Sequence, residues 1–361
     1  MRVLHATEAM GGGIISVLES FERRQTEQGI RVSIFYTRRV DTPSRSDLAS
    51  RFSRSSITEF SGGGRVLDLL RFTVSLWSAC NSDDYDIIHL HSSFAGALGR
   101  AAYAVSRRRA KIFYSPHGFS FLRQNVSRLS RTSTALAERL LSRVGSGLVL
   151  TCESERELAK SVLNAPRAYV VQTGVDPNFV HARPVRSMDS RSIVTVAMIG
   201  RAVYQKAPWR FAEVARQLEG SAKFRWYGAN PTDPGAEWLA DSPVELVGWL
   251  SPNELEEEMS RIDILVFATL WEGMPYSLIM SQARGIPAVV SDVVGNRDSV
   301  KDGVTGFVTK DDDCLVAATG RLIDDVSLRA RMSAAALEWA TMHLTDAALG
   351  VQSRDIYLAA M

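Results

Sequence analysis

Along the first half of the chain, short apolar runs alternate with longer stretches in which apolar residues recur every three or four positions. The runs predict buried strands over 3–6, 32–36, 87–90, 111–114 and 148–150, and the longer stretches predict helices over 14–28, 66–79, 94–105, 130–144 and 153–163. In the first of these helices Ile14, Val17, Leu18 and Phe21 share one face. The segment 172–190 breaks the rhythm with Pro177, Pro184 and several arginines, and a linker is expected there. A second alternating series follows. Its strands are expected over 193–199, 224–227, 244–247, 262–267 and 288–291, and its helices over 209–218, 252–261, 277–284, 314–323 and 328–342. A last helix over 347–359 stands apart and is expected to lie back across the first domain. Alternation of this kind builds parallel sheets covered on both faces. The expectation is an α/β chain of two Rossmann-like domains, 1–183 (completed by 345–361) and 184–344, facing a central cleft at the carboxyl ends of their strands. A length of 361 residues suits two cores better than one.

Charge alters this picture more than composition does. With 45% hydrophobic and 23% charged residues the chain is ordinary for a globular protein. The net charge of +2 conceals an asymmetry: residues 1–183 hold 25 Lys/Arg against 16 Asp/Glu, and the remainder holds 17 against 24. A basic first domain suggests an anionic ligand or surface, at a density too low for a dedicated nucleic-acid binder. Cys80, Cys152 and Cys314 are odd in number and form no Cys-x-x-Cys pair, which argues for a reducing compartment and against a disulfide framework. No apolar run reaches the ~20 residues that a spanning helix needs. Arg2 leads directly into a strand, which leaves no room for a signal peptide. The expected location is the cytoplasm.

Four places carry candidate chemistry. Gly11-Gly12-Gly13 lies between the first strand and first helix, where glycine admits a ligand to the backbone and a helix N-terminus attracts phosphate; a tight turn is the plainer reading. The same glycines half-match a dinucleotide fingerprint, and Arg38-Arg39 at the end of the next strand could suit a 2′-phosphate. Gly200-Arg201 closes the first strand of the second series, and Lys206 follows before a helix. Two fixed cations beside a helix start suit a diphosphate, although most Arg and Lys are merely solvated. The stretch 270–300 offers Glu272 in a Gly-Met-Pro turn ahead of an apolar helix, a carboxylate placed to meet a polar ligand. His117 follows a strand in Tyr-Ser-Pro-His-Gly and could hydrogen-bond a substrate hydroxyl or a backbone group. His89-x-His91 lacks a third metal ligand at a usual spacing.

Other charged segments have simpler readings. Asp83-Asp84-Tyr85-Asp86 reads as a solvated loop and Asp311-Asp312-Asp313 as a helix cap. Arg123, Arg128, Arg131, Arg139 and Arg143 interleave with Leu129, Leu136, Leu140, Leu141 and Val144. That helix is either a face drawn to anionic lipid head groups or a solvated helix with leucines turned to the core.

In order and spacing these motifs resemble the retaining GT-B glycosyltransferases of family 4. The resemblance rests on Gly11–Gly13, Pro116-His117-Gly118, Gln172-Thr-Gly-Val-Asp176, Gly200-Arg201 with Lys206, Val247-Gly248-Trp249, the Glu272-Gly-Met-Pro block and Gly295-Asn296. It spans nearly the whole chain. It implies that Arg201 and Lys206 hold the donor diphosphate, Glu272 binds donor-sugar hydroxyls, and the backbone from Gly273 through Met274, Pro275 and Tyr276 to Ser277 brackets sugar and phosphate. Gly12 and Gly13 would approach the phosphate, and His117 would stand beside the reacting sugar. The implied reaction is transfer with retention by same-face attack, without metal or cofactor.

One position departs from the family. Where its members carry a second glutamate eight residues after the first, this chain has Met280. On a helix the two positions differ by about two turns, so both are expected to look toward the same cleft. Losing a carboxylate that grips ribose hydroxyls costs roughly 1.5–3 kcal/mol. Either Ser281 or a backbone carbonyl takes over, or the donor binds more weakly, or the chain is a catalytically silent binding subunit.

The expectation is thus a metal-independent glycosyltransferase of hexosyl or N-acetylhexosaminyl groups in surface polysaccharide biosynthesis. Its partners would be a nucleotide-sugar, UDP-linked as first choice, a glycan or polyprenyl-linked acceptor, and an anionic membrane surface at the cytoplasmic face; nucleic acid is not among them. An NADP-dependent oxidoreductase and the silent subunit are the rivals. A nucleotide-sugar epimerase on the same fold lacks any additional catalytic carboxylate set.

Overall fold

The computed structural model describes residues 1–181 and 193–361. The chain divides into two compact units: residues 1–122, 126–174 and 346–361 form the N-terminal unit, and 123–125 with 175–345 form the C-terminal unit. The boundary expected at 183/184 lies outside the described residues; the units divide between Gly174 and Val175, and again between Thr345 and Asp346.

In the N-terminal unit the elements run β1 (Arg2–Thr7), α1 (Gly13–Glu27), β2 (Arg31–Thr37), α2 (Arg45–Arg51), β3 (Ser56–Phe60), α3 (Gly64–Asn81), β4 (Ile87–His91), α4 (Ser93–Ala104), β5 (Lys111–Ser115), α5 (Arg128–Leu141), β6 (Gly147–Leu150), α6 (Glu153–Ser161) and β7 (Ala168–Val170). The seven strands are parallel, in the order β3-β2-β1-β4-β5-β6-β7. The order reverses direction at β1, so the loops after β1 and β4 diverge and open a crevice at their carboxyl ends. Side chains alternate between two faces. Leu4, Ala6, Ile88, Leu90, Ile112 and Tyr114 enter one buried cluster, while Val3, Ile87 and Phe113 enter the other.

The C-terminal unit continues with β8 (Val194–Ile199), α7 (Pro208–Gln217), β9 (Ala222–Tyr227), β10 (Val244–Gly248), α8 (Pro252–Met259), β11 (Ile264–Phe267), α9 (Tyr276–Ala283), β12 (Ala288–Ser291), α10 (Asn296–Ser299), β13 (Gly306–Thr309), α11 (Asp312–Asp324) and α12 (Val326–His343). Its six parallel strands are ordered β10-β9-β8-β11-β12-β13. Here too the order reverses beside the first strand, and β8, β11 and β12 are buried along their whole length. The last helix, α13 (Leu349–Leu358), belongs to the N-terminal unit and packs on α1, where Gly350 fits against the Arg24 carbonyl so closely that a Cβ would lie 2.3 Å from it. Asp346 anchors this return by pairing with Arg24 at 2.7 Å and with Arg23.

The helix α5 corrects one of the two readings of its leucines. Leu129, Leu136 and Leu140 are 80%, 57% and 61% exposed, so they do not face the core. The helix is held instead by its buried Glu138, which pairs with the buried Arg100 of α4 at 2.8 Å. No helix among the described residues is long and apolar enough to cross a membrane.

Candidate functional site

In the C-terminal unit glycines let backbone meet backbone in two places, between the loops after β8 and β9 and between those after β11 and β12. Gly200 follows β8 and its carbonyl accepts from Trp226 Nε1 at 2.8 Å. Gly228, with φ 96°, lies so close that a Cβ would be 2.9 Å from that same carbonyl. Gly295, with φ 81°, would place a Cβ 1.4 Å from the Gly273 carbonyl. No other residue fits there without moving the loop.

Onto this floor the sequence places opposite charges. Lys206 Nζ donates to Glu272 Oε1 at 2.7 Å, with the two side chains 17% and 7% exposed. The ammonium also stands 4.6 Å over the Phe267 ring at the end of β11, whose face attracts a cation. An ammonium has three donors, and the bond to Glu272 uses one of them. Arg201 is exposed and follows Gly200 directly.

Of the bracket expected from Gly273 to Ser277, Gly273 and Pro275 are buried, and Met274, Tyr276 and Ser277 are half-buried. Helix α9 starts only at Tyr276, one residue after Pro275, so Glu272 lies in the loop ahead of it. The two-turn relation between positions 272 and 280 therefore does not exist. Met280 packs its half-buried side chain against the cluster formed by Ile279, Ala283 and Leu344. Ser281 is fully buried and donates to the Ser277 carbonyl at 2.9 Å, which removes it as a ribose ligand. Asn296 is fully buried and bonds Thr269 Oγ1 and the Ser291 carbonyl, tying the loops after β11 and β12 together.

In the N-terminal unit Gly12 and Gly13 are exposed at the start of α1, and Gly12 caps the helix with no side-chain bond. Its φ of 57° and ψ of −140° suit glycine, and no atom lies within 4 Å of where a Cβ would be. The neighbouring Glu8 caps α4 instead, accepting from Ala95 N at 2.8 Å. Arg38 is spent on Glu59 at 3.1 Å, together with Arg45, and Arg39 stands 3.5 Å from Asp41. Asp86 pairs with Arg2 at 3.2 Å, and Asp311 caps α11 by accepting from Cys314 N at 2.8 Å, as the simpler readings expect.

His117 follows β5 with φ 52°, a left-handed conformation that costs a side-chain-bearing residue energy. It persists because Gly118 N donates to the buried Glu155 at 2.9 Å and the His117 ring stacks on His91, centroids 5.1 Å apart. The third histidine missing near His89 and His91 is His5, brought to His89 by the β1–β4 register. Ligand atoms of these three lie within 4.8 Å of one another. Yet every ring nitrogen of the three has a hydrogen-bond partner: His5 meets His91 and Gln25, His91 also meets His117, and His89 meets Tyr357 and Ser115. The cluster is built as a hydrogen-bond network. Burial holds His5 and His117 down at about 4 and His89 and His91 well below the usual imidazole range, so all four are neutral near pH 7. His5, Gln25 and Tyr357 had no local sequence signal, because strand pairing and the returning helix bring them together.

Two family models divide the chain between them. Residues 11–179 match that described as Glycosyltransferase Family 4, and residues 193–325 match that described as Glycosyl transferases group 1. The chain belongs to the group 1 glycosyltransferases, with the GT-B fold. It is 28% identical over 281 residues, 71% of each chain, to a UDP-Gal:alpha-D-GlcNAc-diphosphoundecaprenol alpha-1,3-galactosyltransferase of Escherichia coli. Among solved structures it resembles sucrose-phosphate synthase from Thermosynechococcus elongatus, with a TM-score of 0.81 at 17% identity over 99% of this chain and 98% of that one. It also resembles Anabaena HepE in complex with UDP and glucose, with a TM-score of 0.78 at 16% identity over the full length of both. At such identities these structures speak for the GT-B fold alone.

Proposed function

We propose that this glycosyltransferase moves a hexosyl or N-acetylhexosaminyl group from a UDP-sugar to a polyprenyl-linked glycan in surface polysaccharide assembly, with retention and without a metal. The observation that carries this reading is the Lys206–Glu272 pair, 2.7 Å apart at the carboxyl ends of β8 and β11. Departure of a nucleoside diphosphate builds negative charge on phosphate and positive charge on the sugar ring. Fixed groups of both signs, held before the reaction, stabilise that separation. Lys206 and Arg201 take the diphosphate, and Glu272 accepts from sugar hydroxyls while facing the developing cation. Met274 to Ser277, with the buried Gly273, supply backbone around the sugar. Met280 lends apolar packing to that wall. In the N-terminal unit Gly12 and Gly13 leave backbone N–H groups open to an anion, and His117 meets a sugar hydroxyl. The E. coli relative is named for a UDP-sugar donor and a diphosphoundecaprenol acceptor, and HepE binds UDP; both favour this donor and acceptor class.

The same reading assigns a face to the membrane. On α5, Leu129, Leu136 and Leu140 stand out among the exposed Arg128, Arg139 and Arg143. On α3, Val66, Leu70 and Val74 are 71%, 55% and 63% exposed. Apolar side chains fringed by arginine fit an anionic bilayer surface. Vesicles rich in anionic lipid should retain the protein at low salt, and Leu136→Asp with Leu140→Asp should release it with its thermal midpoint unchanged. Retention equal to wild type would remove α5 from the contact.

For the chemistry, the test is incubation of UDP-galactose with a polyprenyl diphosphate-linked GlcNAc acceptor after chelation, followed by proton NMR of the product. An α-linked product formed in chelator supports the proposal. A β-linked product overturns retention, turnover that stops in chelator overturns metal independence, and no transfer from any UDP-sugar overturns the donor.

A further inference from the structure

The hydrogen bonds around His117 form one directed chain, and its direction is set at the far end by a group that only accepts. Ser115 donates its hydroxyl proton to the Val149 carbonyl at 2.5 Å, so toward His89 Nε2, 2.8 Å away, its oxygen is an acceptor. His89 therefore carries its proton on Nε2, and its Nδ1 accepts from Tyr357 at 2.7 Å. With that proton committed, the Tyr357 oxygen accepts from Gln25 Nε2 at 3.4 Å. Ser353, which gives its proton to the Gly350 carbonyl, accepts from the same amide nitrogen at 3.2 Å. The Gln25 amide is thereby oriented, and its Oε1 accepts from His5 Nε2 at 2.9 Å. His5 Nδ1 then accepts from His91 Nε2 at 2.8 Å, and His91 Nδ1 accepts from His117 Nε2 at 2.8 Å. Each neutral imidazole has one donor and one acceptor nitrogen, so fixing one end fixes every ring.

We propose that His5, His91, Gln25 and Tyr357 are positioning residues that hold His117 as the neutral Nε2–H tautomer and present its Nδ1 lone pair as an acceptor for a donor-sugar hydroxyl. This rests on the reading that His117 meets the sugar. The chain serves two needs of that reaction. A lone pair of fixed position selects a hydroxyl that can donate. A ring kept neutral adds no positive charge beside a sugar that becomes cationic in the transition state. Burial supports neutrality at His117, and ionising His5 or His91 would place an extra proton between two imidazoles already sharing one. The returning helix α13 enters the site's chemistry through Tyr357, 268 residues from His89 in sequence.

Two measurements on the full chain test this independently of the donor's identity. Nitrogen-15 NMR of the imidazoles, without any ligand, should show His5, His89, His91 and His117 all with protonated Nε2 and bare Nδ1. A protonated Nδ1 on His117 overturns the proposal. The second compares His91→Asn, whose Oδ1 can stand in for Nδ1 as the acceptor, with His91→Phe, which keeps the ring volume and removes the acceptor. With UDP-galactose as donor, His91→Phe should lower kcat/KM about tenfold below His91→Asn, with a mixed tautomer at His117. The reverse order, Phe milder than Asn, is what a packing role gives and overturns the proposal. If UDP-galactose is not turned over at all, the donor assignment has failed while the tautomer spectra of wild type and variants still decide the chain.

Discussion

At the carboxyl ends of β8 and β11 the C-terminal unit presents full charges, Lys206 and Glu272, 2.7 Å apart. At the carboxyl ends of β4 and β5 the N-terminal unit presents histidines kept neutral by burial and bonded to one another. Both constellations are partly buried, and both rest on parallel sheets whose strand order reverses beside the first strand. Under the proposed function the difference lies in what each would do for a departing diphosphate. A fixed ion pair stabilises charge that appears during reaction. A neutral chain orients a substrate without adding charge of its own. Similar folds thus supply unlike tools, and the tool is decided by a few side chains at strand ends.

Breaking the charged side should have the largest effect. Lys206→Ala and Glu272→Ala are each expected to lower kcat by about 10²–10³-fold, with circular dichroism unchanged; wild-type turnover in both would detach the pair from catalysis. The neutral side should instead show itself through acid. For His5 the folded pKa of about 4 lies below the unfolded 6.5, so between those values the unfolded chain binds more protons. Stability is then complete above pH 6.5 and falls as pH drops toward 4, by on the order of 3 kcal/mol for His5 alone. Hydrogen exchange at pH 5 against pH 7.5 should show protection lost in β1 and β4 before β8 and β11, and equal loss in both sheets would contradict the contrast.

Smaller effects sharpen it. Gly295→Ala forces the Gly273 carbonyl aside and strains a φ of 81°, at a cost of about 2–3 kcal/mol, and should weaken donor binding as the Glu272 loop shifts. A thermal midpoint equal to wild type would mean the two loops do not depend on each other. Gly12→Ala meets nothing within 4 Å, so it should cost only about 1–2 kcal/mol from backbone strain. A much larger loss of stability would show that Gly12 serves packing rather than access.

Much of the fold was legible because buried parallel strands read as continuous apolar runs. Ile87, Ile88 and Leu90 made β4 plain, and 288–291 was bounded correctly. The apolar pattern does not mark β3, β7 and β13, all at sheet edges, or the short helices α2 and α10. Ser56–Phe60 is partly exposed and polar at Ser56, Thr58 and Glu59, so it lacks the run that marks a central strand. Lys206 and Glu272 were legible through position at strand ends and through family spacing. The His5 partnership was not, because only the pairing of β1 with β4 brings positions 5, 89 and 91 together. The relation between Glu272 and Met280 misled for a local reason: Pro275 sets the start of α9, and a spacing of eight counts as two turns only when the helix covers it.

In the proposed reaction the Lys206–Glu272 constellation binds a nucleoside diphosphate. Titration calorimetry with UDP on the wild-type chain and on Lys206→Ala tests it most directly, with NADPH as the control ligand. UDP should bind the wild type, its affinity should fall at least about tenfold in the variant, and NADPH should give no heat. Equal UDP affinity in the two proteins, or NADPH binding in place of UDP, would contradict that role.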